Sequence, residues 1–111
     1  MRNVIEIDKE KAVVSFDSDT GMFRGEFIGL NGGADFYADS VVSLFAEGSK
    51  SLAVFKEVCR EKGLEPRRNF SGKFNVRLDP SAHEAAVLAA AAEGKSLNDW
   101  ISETIKEAAA A

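Results

Sequence analysis

The sequence predicts an α+β protein of two small domains: an antiparallel sheet with a helix over residues 1–65, and a dimerising strand-helix-helix unit over residues 73–111. Two observations carry this prediction. The apolar residues recur with a period of two up to residue 38, and with a period between three and four after residue 40. A polar connector, residues 66–72, then interrupts the pattern, which restarts beyond it. The composition, 45% apolar and 29% charged over 111 residues, is typical of a folded chain.

Three strands are predicted at the start, over residues 11–16, 22–30 and 35–38. The first two are rich in β-branched and aromatic residues, and the turn sequence DSDTG separates them. Asn31-Gly32-Gly33 supplies the second turn. Because strands that are close in sequence usually pair antiparallel, we expect a three-stranded meander.

A helix of about 22 residues is predicted after Ser40, which is a suitable N-cap, and Gly63 is expected to end it. Its buried stripe is predicted to contain Val41, Phe45, Leu52, Phe55 and Cys59, and to be widened by Val42, Leu44 and Val58. Gly48 lies inside this helix, where glycine costs about 1 kcal/mol relative to alanine. We therefore expect a close approach or a bend at Gly48.

The second domain starts with the segment KFNVRL, residues 73–78, in which apolar and polar residues alternate as in a strand. Asp79-Pro80 is a strong helix start, and this helix is predicted to run to about Glu93. Gly94 ends it, and Ser96 begins a second helix.

This domain has about 40 residues and a single strand, so it has neither a strand partner nor a sufficient core of its own. Two copies related by a two-fold axis would supply both, with their strands paired antiparallel. We therefore predict a homodimer and leave further association of two dimers open. The predicted dimer core consists of Phe74, Val76, Leu78, Leu88, Leu97, Ile101 and Ile105.

The polar face of such a ribbon carries Lys73, Asn75 and Arg77. A two-stranded ribbon fits the DNA major groove, where arginine reads guanine and asparagine reads adenine. The net charge of the chain is -4, but residues 66–78 contain four cations and no carboxylate. Phosphate contacts are predicted for Lys95, Ser96 and Leu97 at the start of the last helix, and for Arg67 and Arg68.

The segment SGKFNVRLDPSAHEAAVLAAAAEGKSLNDWISETI resembles the ribbon-helix-helix module at the C-terminus of HicB-family antitoxins. The first half is also similar to that family, in its VVSFD and GMFRGEFIGL strands and in its DFYADSV entry to a long helix. The resemblance spans residues 11–106.

This resemblance implies that the first domain is a truncated ribonuclease-H-like domain that binds a partner toxin. The toxin of such systems, HicA, is a small mRNA-degrading ribonuclease, and the antitoxin covers its active site. The resemblance further implies that the C-terminal module binds operator DNA and represses its own operon. On this basis we expect an antitoxin and autorepressor that is not an enzyme and needs no cofactor or metal.

Two alternatives remain open. The chain could be a stand-alone ribbon-helix-helix regulator whose first domain senses a small ligand. It could also be a magnesium-dependent nuclease, since Asp17, Asp19, Asp35 and Asp39 are metal-binding residue types. We favour turn and cap roles for these aspartates, and contact with a basic toxin. A single cysteine, Cys59, and a charged N-terminus predict a cytoplasmic protein with no membrane partner.

Overall fold

The computed structural model describes residues 3–110. These residues divide into two compact units, Met1–Ser71 and Gly72–Ala111, called here the first and second units. The architecture is α+β, with a four-stranded antiparallel sheet and three helices.

The sheet of the first unit has its strands in sequence order, each antiparallel to the next. The strands are β1 (Val4–Ile7), β2 (Glu10–Asp17), β3 (Met22–Phe27) and β4 (Asp35–Ala38). The prediction of three strands was wrong because it missed β1. Asp8 and Lys9 join β1 to β2 with positive φ angles of 49° and 71°, in a two-residue turn that lacks the usual glycine.

Helix α1 (Val41–Lys62) covers one face of this sheet and has the predicted length. Ser40 caps its first turn, as predicted, because the Ser40 side chain accepts a hydrogen bond from the Ser43 N–H at 3.2 Å. Gly63 ends the helix in the left-handed conformation at φ 69°, which also confirms the prediction. The core between helix and sheet contains Ile7, Ala12, Phe27, Leu30, Ala34, Phe36, Ala38, Leu44 and Leu52.

The buried face of α1 confirms the predicted Leu44, Leu52 and Cys59 but differs from the prediction at its start. Leu44, Gly48, Leu52 and Cys59 are buried, whereas Val41 and Phe45 are exposed at the border of the face. The prediction placed Val41 and Phe45 inside because residue type alone favours a large apolar side chain over glycine. The structure instead buries Gly48.

Gly48 makes a close approach between α1 and the sheet possible. A Cβ atom at Gly48 would collide with the Cδ1 atom of Ile7 and lie 3.0 Å from the ring of Phe36. The Phe36 ring also covers Gly25, which is the cross-strand partner of Phe36 on β3. A Cβ atom at Gly25 would collide with this ring as well. The expected close approach at Gly48 is thus confirmed, and two glycines make room for one phenylalanine.

The beginning of the predicted connector is bound to the first unit. The backbone N–H of Arg68 donates to the Gly29 carbonyl at 2.8 Å, and the Asn31 N–H donates to the Pro66 carbonyl at 2.7 Å. Arg67 forms an isolated bridge with Leu30. The division between the units therefore falls after Ser71, rather than over the whole of residues 66–72.

The second unit contains α2 (Pro80–Ala92) and α3 (Leu97–Ala110), which pack against each other. Asp79 caps α2 as predicted, with its side chain accepting the Ala82 N–H at 3.3 Å. Ser96 likewise caps α3 by accepting the Asp99 N–H at 3.1 Å. Between the helices, Gly94 adopts a φ of 67°. None of the helices within residues 3–110 is long and apolar enough to cross a membrane.

Residues 73–78, predicted as a strand, have neither strand nor helix assignment in the single chain. They also belong to none of the pairings in the four-stranded sheet. A strand is defined by its hydrogen-bonded neighbour, so a segment whose predicted partner is a second copy has no strand assignment in one chain.

Candidate nucleic-acid interface

The predicted base-reading residues lie in the exposed segment that leads into α2. Lys73, Asn75 and Arg77 are all exposed, and they alternate with three exposed apolar residues. These are Phe74, Val76 and Leu78, whose exposed fractions are 73%, 62% and 49%. Large apolar side chains exposed at alternate positions of one short segment mark a surface that a partner can cover.

The end of this segment is fixed by the cap of α2. The Asp79 carboxylate accepts hydrogen bonds from the Ser81 hydroxyl and the Ala82 N–H, and both contacts lower the pKa of Asp79. Pro80 occupies the first turn of the helix, where its fixed φ suits the helical backbone. Arg77 is thus two residues from a rigid helix start.

The start of α3 is the predicted phosphate site. The N–H groups of Leu97 and Asn98 lie in its first turn, where no intrahelical acceptor exists. The Asp99 N–H is already used by the Ser96 cap. The positive end of the helix dipole adds to the attraction that these donors exert on an anion.

Lys95, also predicted to contact phosphate, is held by carboxylates of its own unit. Its ammonium group forms an ion pair with Glu103 and lies 3.8 Å from Glu93. The hydrogen bond that the Lys95 ammonium donates to Glu103 is the main cause that raises the pKa of Lys95. Lys95 therefore stays charged over the physiological pH range, and a phosphate must compete with Glu103 for it.

Arg67 and Arg68 belong to the first unit, whereas the other predicted DNA contacts belong to the second. The Arg67 Nε atom donates to the Glu10 carboxylate at 2.8 Å. The Arg68 guanidinium lies 4.9 Å from the centre of the Phe70 ring, at cation–π distance. The Arg67 charge is thus already matched within the first unit.

The predicted dimer-core residues are exposed in the single chain, except for Leu97, which is half-buried. On α3, Leu97, Ile101 and Ile105 are spaced by four residues and therefore share one face. Among the described residues of α2 and α3, the buried ones are Ala86 and Ala90. The large apolar residues of this unit are thus available to a partner.

The four aspartates considered for metal binding are distributed over different local contacts. Asp17 accepts the Asp19 N–H at 2.9 Å within the β2–β3 turn, and Asp39 accepts the Ser43 hydroxyl at 3.4 Å. Asp35 pairs with Arg24 on β3 at 2.5 Å. Within the described part of the chain, no three potential ligands among His, Cys, Asp and Glu come together.

Two features were missed by the sequence analysis. The first is the contact between Lys95 and Glu103. Glu103 lies eight residues after Lys95, about two helical turns, and this spacing was the available signal for the contact. The second is an apolar cleft of about 400 Å³ in the first unit, beside the start of α1. Val41 and Phe45 line it, and assigning both to the core concealed it.

Comparison with protein families gives a match between residues 55–105 and the HicB family. The matched segment runs from the last turns of α1 through the candidate interface and most of α3. This segment is therefore similar to the HicB family, and the match covers just under half of the chain. Comparisons with curated proteins and with solved structures give no match.

Proposed function

We propose, from this family match and from the exposed apolar residues of the second unit, that the chain is an antitoxin and autorepressor. The first unit covers a HicA-type, mRNA-degrading toxin. The second unit forms a ribbon-helix-helix homodimer that binds operator DNA in the major groove. The chain has no catalytic function in this proposal.

The alternation of side chains over residues 73–78 carries the DNA-binding part. If two copies of this segment pair antiparallel, Phe74, Val76 and Leu78 fall on one face of the ribbon and cover the helices. Fully burying one such side chain contributes about 1.5–3 kcal/mol. Two copies bury six of them, in addition to the exposed residues of α2 and α3.

The opposite face of that ribbon then carries Lys73, Asn75 and Arg77 from both copies. Asparagine forms paired hydrogen bonds with adenine N6 and N7, and arginine with guanine O6 and N7. The start of α3 anchors the flanking backbone through its free N–H groups. Base reading and phosphate binding are therefore assigned to separate parts of one unit.

A band-shift titration on the DNA upstream of the gene tests this assignment. We expect Arg77→Ala to cost about 1–3 kcal/mol of affinity for the operator and to relax base preference at one position per half-site. Lys95→Ala is the matched comparison, since it should weaken binding to operator and unrelated DNA alike. Unchanged sequence-specific binding by the double variant Asn75→Ala, Arg77→Ala would contradict base reading by this segment.

Neutralisation is tested with the protein that a neighbouring gene encodes, where that gene is short and its product basic. This product is purified and titrated with the antitoxin chain while its RNA cleavage is followed. We expect cleavage to stop near stoichiometric addition. Residues 1–71 form a compact unit with their own core, so we expect this fragment to neutralise as well. Undiminished cleavage with an excess of the full chain would contradict the toxin-binding role.

The cleft of the first unit favours one alternative, a regulator that senses a small ligand. Its volume of about 400 Å³ lies within the range of small-molecule sites. The neighbouring gene separates the two functions: a short basic reading frame whose product binds the chain supports the antitoxin. Operator binding that changes with a metabolite, with no such protein partner, supports the sensor.

A further inference from the structure

The loop between β3 and β4 contains the only Asn-Gly pair of the sequence, Asn31-Gly32. Asn31 is exposed, so water reaches its side-chain amide. Among residues 3–110, no acceptor forms a hydrogen bond with the Gly32 N–H. An exposed carboxamide therefore lies next to a backbone nitrogen that no hydrogen bond holds.

Gly32 is required at its position by the packing of this loop. Its φ angle is 152°, and a Cβ atom there would lie 2.9 Å from the Phe55 ring on α1. Any other residue would therefore be strained and would press against this ring. The same lack of a Cβ atom leaves the Gly32 nitrogen open to the side chain of Asn31.

Asn31 joins the loop to the chain at the start of the connector. Its backbone N–H donates to the Pro66 carbonyl at 2.7 Å, and its side-chain Nδ2 donates to the Glu65 carbonyl at 3.4 Å. The bridge between Leu30 and Arg67 continues this pairing along the connector. The amide that can react is thus one of the donors that hold the connector on the first unit.

We propose that Asn31 is a spontaneous deamidation site and that its conversion loosens the connector. The Gly32 nitrogen attacks Cγ of Asn31, and the new C–N bond closes a five-membered imide ring. The Cγ–Nδ2 bond breaks, and the amide nitrogen leaves as ammonia with the proton of the Gly32 N–H. Water then opens the ring at either carbonyl, which gives aspartate or isoaspartate. This inference does not depend on the antitoxin function.

Both products lack the donor that Asn31 supplies. A carboxylate at position 31 only accepts hydrogen bonds, so it repels the Glu65 carbonyl instead of binding it. Isoaspartate also routes the main chain through the former side-chain carbon, which displaces Gly32 from the Phe55 ring. The attachment of residues 65–68 is therefore weaker after conversion, and this segment should open more often.

The other asparagines of the sequence lack this combination. Asn98 is also exposed, but the Ser96 hydroxyl oxygen accepts the N–H of the next residue, Asp99, at 3.1 Å. A bulky valine or phenylalanine follows each of the remaining asparagines, Asn3, Asn69 and Asn75. Asn98 is therefore an internal control in the same chain.

Mass spectrometry of peptides tests the site in the full chain. The purified protein is warmed at mildly alkaline pH, and conversion of asparagine to aspartate or isoaspartate is followed at each position. We expect Asn31 to convert at least about tenfold faster than Asn98, because glycine leaves the attacking nitrogen unhindered. Asn31→Gln should stop conversion in this loop, since glutamine would have to form a six-membered ring. Equal rates at Asn31 and Asn98, or no conversion at Asn31, would overturn the site.

Limited digestion with trypsin tests the effect on the connector, because trypsin cleaves after arginine in a segment that has opened. We expect Asn31→Asp to raise the initial rate of cleavage between Arg67 and Arg68 about threefold to tenfold, as for the loss of one hydrogen bond. Asn98→Asp adds the same charge to the second unit and should leave this rate unchanged. Circular dichroism verifies that both variants are folded.

The unchanged chain gives a second measurement that needs no variant. Position 31 and the cleavage point lie in the same N-terminal fragment, so the mass of this fragment reports both events. In a partly converted sample, the fragments released first should be enriched in aspartate or isoaspartate at position 31. Equal conversion in released and uncut chains, or an unchanged cleavage rate for folded Asn31→Asp, would overturn the loosening of the connector.

Discussion

The two units of this chain both contain well-formed, capped helices, but they differ in the size of the residues that they bury. The first unit packs a 22-residue helix on a four-stranded sheet and buries large apolar residues such as Phe27, Phe36 and Leu52. The second unit also has capped helices, but the buried residues of those helices are two alanines, which are small. Burial of large apolar surface is the main stabilising term in folding. Strong capping signals therefore do not by themselves show that a helical unit is stable on its own.

The difference assigns the two units different relations to their partners. The first unit is complete before it meets a partner, so its partner binds a preformed surface. The second unit leaves Phe74, Val76, Leu88 and Ile105 exposed. In the proposed homodimer a second copy would cover these residues and complete its core. Stability of the second unit should then depend on protein concentration, whereas that of the first should not.

The largest expected effect is on dimerisation of the second unit, and it is tested at Val76. In the single chain Val76 is 62% exposed, and Val76→Asp should then be nearly neutral. In the proposed dimer it places two carboxylates in the shared core, and we expect the dissociation constant of the dimer to rise at least a hundredfold, about 2.7 kcal/mol. Analytical ultracentrifugation over a concentration series measures this change.

Val54→Asp is the control, because Val54 on α1 is equally exposed. It should leave the dimer and operator binding unchanged. If Val76→Asp also leaves a stable dimer, the second unit pairs through some other surface, and the comparison between the units loses its physical basis.

A smaller effect tests the close packing of the first unit. Gly48→Ala adds a methyl group against Ile7 and the Phe36 ring, and overpacking of this kind costs about 1–3 kcal/mol. Alanine regains about 1 kcal/mol of helix propensity. We expect a net loss of about 1–2 kcal/mol in the free energy of unfolding, because Phe36 is also confined by Gly25. Urea denaturation followed by circular dichroism measures it.

Gly33→Ala is the matched substitution, since a Cβ atom at Gly33 would have no atom within 4 Å and its φ is not positive. It should leave the stability of the first unit unchanged or slightly raised. A Gly48→Ala chain that is more stable than the unchanged one would show that the helix can move away from the sheet, and that packing there is loose.

The contrast also explains which parts of the fold could be predicted from sequence. The caps at Ser40, Asp79 and Ser96 and the end at Gly63 were predicted correctly, because each depends on one side chain and its nearest backbone groups. β1 was missed because the signal for its turn, Asp8-Lys9, lacks glycine or asparagine.

Features that depend on distant residues were less accessible. The inward face of α1 is decided by where Phe36 and Ile7 stand on the sheet, and no local pattern reports that Gly48 must be the contact point. The ion pair between Lys95 and Glu103 depends on how the turn between α2 and α3 directs the Lys95 side chain along α3. The strand character of residues 73–78 stays a prediction, since it depends on a second copy.

The smallest expected effect concerns Lys95, where a contact within the second unit opposes the proposed DNA contact. The Glu103 carboxylate binds the Lys95 ammonium group and raises the pKa of Lys95. Glu103→Gln removes this carboxylate, so the ammonium group is released for a phosphate. We expect affinity for operator and unrelated DNA to rise by the same factor, up to about fivefold at low salt, as for an exposed ion pair. Glu107→Gln removes the same charge from α3 without a hydrogen bond to Lys95, so it should give a clearly smaller rise. Equal gains for the two variants would mean that net charge alone, rather than competition for Lys95, controls DNA binding at the start of α3.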